Sequence, residues 1–171
     1  MSATLGANDL VVAIAEARVE GAAARRRLLT YGVGSCIAIA AWDEVARVGG
    51  LLHFMLPAPR RDREREIAST RPGVFATTGV AALLQQLAAA GAEIPRLRLA
   101  AAGAAELVQA GPSSVGAQNR VALITALQTA GLELRTGVFG GTASRTVALD
   151  LSTGAFEVRP VAGQARVGRR I

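Results

Sequence analysis

The chain has 171 residues, 51% of them hydrophobic, and a net charge of +6. That length suits one core of ordinary size, and no apolar run approaches the roughly 18 residues a membrane span needs, which excludes an inserted helix. All 19 basic residues are Arg, scattered over Arg25 to Arg27, an acid-interleaved run from Arg60 to Arg65, and Arg166, Arg169 and Arg170, with no aromatic interleaving, a distribution that argues against nucleic-acid binding.

The first residues carry no basic stretch leading into an apolar segment, so a cytoplasmic location is expected. Leu10 to Ala17 reads as a β-strand from its Val, Ile and Leu content, followed by the polar Arg25 to Arg27. Thr30-Tyr31-Gly32-Val33-Gly34-Ser35-Cys36 is a glycine-rich approach to Ile37 to Trp42, which has the β-branched content and length of a buried strand. Asp43-Glu44 is the predicted turn into a second apolar strand, Val48 to Met55, which Pro57 ends because it offers no backbone donor. The dense charge of Arg60 to Glu66 reads as a solvated loop.

Val74 to Ala90 is a predicted helix, with Val80, Leu83, Leu84 and Leu87 on one face and Gly91 to cap it. Arg96 to Ala101 reads as a strand, and Val115 to Ala130 as a second amphipathic helix through Val121, Ile124 and Leu127. Alternation then marks two strands, one through Leu132, Leu134, Thr136 and Val138 and one through Val147, Leu149 and Leu151, with Gly140-Gly141 as the turn between them. Ser152-Thr153-Gly154 turns the chain into a last strand, Ala155 to Arg159. The expected architecture is a single α+β domain over residues 1–160, a β-sheet sandwich with two main helices packed on the sheet. Residues 161–171 have little to bury and are expected to form a disordered basic tail.

One cysteine and one histidine make the search for a nucleophile and base short. A thiol attacks a carbonyl only when a neighbour favours the thiolate or takes the proton, and His53 is the candidate base for Cys36. Antiparallel pairing through the Asp43-Glu44 turn would bring the two together. Gly32 and Gly34, with Ser35, allow backbone amides to face a developing oxyanion, and the Thr30 hydroxyl offers a partner for the second imidazole nitrogen. By residue type alone, packing is the commoner role for a cysteine beside an apolar strand and for a histidine set among Leu51, Leu52, Phe54 and Met55. One Cys and one His without clustered carboxylates do not make a metal site, and no cofactor is expected.

Thr30-x-Gly32-x-Gly34-Ser35-Cys36, followed by Gly49-Gly50-x-x-His53-Phe54-Met55-Leu56-Pro57, resembles the signature of the CheD family of chemoreceptor glutamine deamidases. The likeness extends more loosely through Gly116-x-x-Asn119, Gly140-Gly141 with Arg145, and Thr153-Gly154. It implies hydrolysis of glutamine side chains on methyl-accepting chemoreceptors to glutamate, with Cys36 as nucleophile, His53 as general base and Thr30 as third member of the triad. It also implies a CheC-type phosphatase as a second partner. Where the family carries Lys-x-Phe-Gly-Gly-Ala, this chain has Ala100-Ala101-Ala102-Gly103-Ala104-Ala105, which motivates an alternative: a catalytically weak adaptor that binds receptors or the phosphatase.

Overall fold

The computed structural model describes residues 8–24, 26–107, 111–160 and 167–171. Two strands at the centre set the plan: β4 (Ile37–Asp43) and β5 (Val48–Phe54) are buried at every position. A strand covered on both faces needs apolar residues throughout rather than in alternation, which is why both read as continuous hydrophobic runs. They pair antiparallel, from Ile37 with Phe54 to Asp43 with Val48. With β2 (Ala17–Gly21), β6 (Arg98–Gly103) and β7 (Leu134–Phe139) they make one sheet in the order β2-β5-β4-β6-β7. The other sheet has the order β1-β3-β8-β9-β10, from β1 (Asp9–Val11), β3 (Arg27–Val33), β8 (Arg145–Asp150), β9 (Ala155–Pro160) and β10 (Val167–Arg170).

The pleat sends the side chains of the central strands alternately to two cores. Ala38, Ala40, Trp42 and Leu51 meet Leu28, Val147, Leu149 and Phe156 between the sheets. Ile37, Ile39, Leu52 and Phe54 meet Val80, Leu83, Leu87, Leu123 and Leu127 from the helices α2 (Ala76–Ala89) and α3 (Val115–Thr129). The result is an α+β sandwich of two sheets with helices packed on the outer face of one.

Four segments differ from the sequence reading. Leu10 to Ala17 is not one strand: β1 lies in one sheet and β2 in the other, and the chain crosses between them through a turn with Ala15 at φ 64°. Arg60 to Glu66 is not a loop, because α1 (Asp62–Thr70) starts there. Glu64 Oε2 accepts from the backbone of Arg60 and Arg61 at 2.6 and 2.9 Å, and the charges face water while Ala68 packs on Val74 and Phe75. On α3 the buried face is Gly116, Asn119, Leu123 and Leu127, whereas Val121 is exposed and Ile124 half-buried. Of the expected tail, 161–166 lie outside the described residues. From Val167 the chain pairs antiparallel with β9, and Ile171 is buried. The backbone of β10 completes the sheet and Ile171 joins the core between the sheets, which a reading based on Gly and Arg content overlooks.

Candidate active site

The chain passes from one sheet to the other at residues 34–36, between β3 and β4, and this crossing carries Cys36. A second crossing at 12–16 lies beside it, since Ala15 N donates to His53 O at 2.7 Å and His53 N to Glu16 O at 3.1 Å. Both peptide groups of His53 that face this turn are therefore fixed.

Ala38 pairs with His53 in the ladder, so both side chains leave on the same face, the one between the sheets. Cys36, two residues before Ala38, lies one residue beyond the ladder; continued alternation of β4 would turn its side chain to that same face, diagonal to His53. Thr30 reaches the same space from the opposite sheet. Its Oγ1 lies 2.8 Å from His53 Nδ1, and both residues are 1% exposed, so this hydrogen bond links the two sheets through the interior.

Electrostatics leave both the imidazole and the thiol uncharged at neutral pH. Burial pushes the His53 imidazole down to about 4, because the interior disfavours its cation. Burial likewise pushes the half-buried Cys36 thiol up, against a smaller lowering by its own backbone N–H. His53 Nε2 is buried and has no hydrogen-bond partner among the described residues. The imidazole nitrogen that faces away from Thr30 is thus not hydrogen-bonded to the thiol.

The predicted glycine-rich segment divides. Gly32, at φ 68° and exposed, forms the irregularity of β3 between Thr30 and Val33. The Gly34 carbonyl accepts from Ala105 N at 2.9 Å, and the Ser35 carbonyl from Asn119 Nδ2 at 3.0 Å. Ser35 also lines a cavity of about 280 Å³ with Ala105, Leu107, Ser113, Ser114, Val115 and Gly116.

Several residues with no role assigned from sequence hold this crossing. Gly103, at φ 135°, lies so close that an added Cβ would sit 2.1 Å from the Cys36 carbonyl oxygen, and the next amide, Ala104 N, donates to that oxygen at 2.9 Å. Arg145 Nη1 donates to the carbonyls of Gly103 and Val138, and Nη2 to that of Gly140. A Cβ on Gly116 would meet the Ala104 backbone at 2.9 Å, so glycine lets the start of α3 press on the same loop. Gly103 and the motifs at 116–119 and 140–145 thus converge on the backbone around Cys36. Ala100, Ala101 and Ala102 are fully buried within β6. Their departure from the family pattern changes interior packing rather than an exposed surface.

No group of three or more His, Cys, Asp or Glu with metal-binding spacing occurs among the described residues, and none of their helices is long and apolar enough to cross a membrane.

The family model described as "CheD chemotactic sensory transduction" matches residues 55–160. A probable chemoreceptor glutamine deamidase CheD of Solibacter usitatus is 39% identical over 153 residues, covering 85% of each chain. The chemoreceptor glutamine deamidase CheD of Thermotoga maritima is 34% identical, over 80% of this chain and 83% of the relative. A probable chemoreceptor glutamine deamidase CheD of Desulforamulus reducens is 30% identical over 98% of this chain and 99% of its own length, an extent that takes in Thr30, Cys36 and His53. With a matching model over more than half its length and relatives aligned along most of theirs, the chain belongs to the CheD family.

Proposed function

We propose that this protein is a chemoreceptor glutamine deamidase whose nucleophile is Cys36 and whose base is His53. The observation that carries the reading is the buried Thr30–His53 hydrogen bond on the face shared with Cys36. When Nδ1–H donates to Thr30 Oγ1, the lone pair of the imidazole sits on Nε2, the tautomer a base requires. Because both groups start neutral, the proton moves as the sulfur attacks, in the manner of a hydroxyl nucleophile rather than a preformed thiolate.

In the first half-reaction Cys36 Sγ bonds to the carboxamide carbon of a receptor glutamine while His53 Nε2 takes the thiol proton. The imidazolium then gives that proton to the nitrogen, the C–N bond breaks, and ammonia leaves a thioester. In the second half-reaction water attacks the thioester carbon, His53 takes its proton and passes it to the departing sulfur, and glutamate is released. Amides of Gly34 and Ser35 are the proposed oxyanion donors, and Gly32 shapes their approach. No step calls for a cofactor. A neutral carboxamide becomes a carboxylate, which raises the charge density along receptor helices.

The substrate partner is a methyl-accepting chemoreceptor and the location we assign is the cytoplasm. A CheC-type phosphatase is the proposed second partner, to be tested by pull-down with the purified protein. The deciding experiment is mass spectrometry of a receptor co-expressed with the wild type or with Cys36→Ala. Deamidation adds about one dalton per site at a thiol hydrolase. Equal modification by the two proteins would reject the assignment.

A further inference from the structure

Asn119 is fully buried on the face of α3 that carries Leu123 and Leu127. Its Nδ2 donates to two backbone carbonyls, Ser35 at 3.0 Å and Met55 at 2.8 Å. Ser35 immediately precedes Cys36, and Met55 follows His53 by two. The β4–β5 ladder has its last pair at Ile37 and Phe54, so just beyond that rung the two backbones are joined by this carboxamide instead.

The geometry has a direction. His53 pairs with Ala38, whose side chain lies between the sheets, and alternation would turn Cys36 the same way, while α3 packs on the opposite face, against Ile37, Ile39 and Phe54. Asn119 therefore holds both backbones from behind. Only an amide NH₂ can give two hydrogen bonds to two carbonyls from a side chain of this size, since aspartate offers acceptors and leucine nothing. Asn119 Oδ1 is meanwhile buried without a partner among the described residues. An unsatisfied buried acceptor costs stability, so packing alone does not account for asparagine in a leucine stripe.

We propose that Asn119 is a positioning residue, setting the spacing between the thiol of Cys36 and the imidazole of His53. The inference rests on the Cys–His reading above. A displacement of about 1 Å at such a pair can cost roughly 100-fold in rate.

The test needs no receptor. Cys36 is the one cysteine of the sequence, so its alkylation by iodoacetamide at pH 7 can be followed by mass. Rates are measured for the wild type, His53→Ala, Asn119→Ala and the double variant, which forms a cycle that isolates coupling. His53→Ala is expected to slow alkylation about tenfold or more in the wild type and less than about twofold in the Asn119→Ala background, where the base no longer reaches the thiol. An equal factor in both backgrounds overturns the positioning role while leaving the Cys–His pair standing. No effect of His53→Ala in the wild type overturns the pair itself, and this inference with it. Thermal melts establish that each variant is folded, and if Asn119→Ala is not, Asn119→Ser, which buries no charge and cannot bridge both carbonyls, takes its place in the cycle.

Discussion

Thr30 and His53 come from different sheets and meet in the interior, Oγ1 2.8 Å from Nδ1, each almost wholly shielded from solvent. Replacing the hydroxyl by a methyl of the same shape in Thr30→Val leaves Nδ1 without its partner. A buried group left unsatisfied costs about 1–3 kcal/mol. If that cost falls on the tautomer and orientation used in the transition state, kcat drops roughly 5- to 150-fold with little change in KM. Steady-state kinetics of Thr30→Val with an unchanged kcat would remove Thr30 from the mechanism.

The depressed imidazole predicts an unusually acid-tolerant enzyme. As the proposed base, His53 acts in its neutral form, so an imidazole held at about 4 is expected to keep kcat/KM on its plateau well below the ordinary histidine range, with the acid limb centred near pH 4. On the alkaline side the raised thiol carries the plateau past the usual thiol range, since free thiolate is not needed. A pH profile with its acid midpoint near 6.5, the ordinary histidine value, would contradict the burial of this side chain.

The same group links stability to pH. Its folded value lies below its unfolded value of 6.5, so the unfolded chain binds more protons as pH falls. Its contribution to stability is complete above 6.5 and is lost as pH falls towards 4. Urea unfolding of His53→Leu across this window is expected to show a flatter pH dependence than the wild type; parallel curves would refute the linkage.

Gly103→Ala is expected to injure both fold and activity. The new methyl would overlap the Cys36 carbonyl oxygen and occupy a backbone conformation that L-residues avoid, a strain of about 1–3 kcal/mol before any displacement. A fall in melting temperature together with a loss of kcat about tenfold or greater is expected, because the peptide of the proposed nucleophile must move. Gly131→Ala, at φ 70° with nothing within 4 Å of its added Cβ, serves as control: it strains the backbone without touching the site. Equal kinetic effects in the two variants would disprove the contact argument.

Asp43 anchors the far end of the same strands. Its buried carboxylate accepts from Arg96 and from the amides of Val45, Ala46 and Glu93. Burial by itself would raise this acid, and these donors override that to hold it at about 2. Arg96 is partly exposed and can rehydrate, so Asp43→Ala should cost about 3 kcal/mol, the lower end for a broken buried pair. The carboxylate's contribution is present above 3.8 and lost as pH falls through about 2. Denaturant melts at neutral pH measure the loss, and the folded fraction should retain its activity.

How far the sequence could be read depended on whether a residue's surroundings were local. The β4–turn–β5 hairpin was legible because two continuous apolar runs flank a short polar turn. Helix α2 was legible because Val80, Leu83 and Leu87 share a face. The face of α3 was misjudged because its core side carries Gly116 and Asn119, whose burial is set by the Cys36 loop rather than by hydrophobicity. The strand break before Ala17 was missed because Val, Ile and Ala suit strands in either sheet, and only the His53 backbone reveals where the chain crosses. At the site, the lone thiol and lone imidazole could be named at once. What holds them, from Gly103, Asn119 and Arg145, is distant in sequence and comes together only in the folded chain.

The strand that Cys36 leads into and the strand that carries His53 lie at the middle of their sheet and are covered on both faces. Such strands belong to the most cooperative part of a domain and exchange their amides only when the whole structure opens. Heat inactivation of this protein should therefore coincide with its global melting, with no cooler step at which the catalytic geometry comes apart while the rest survives.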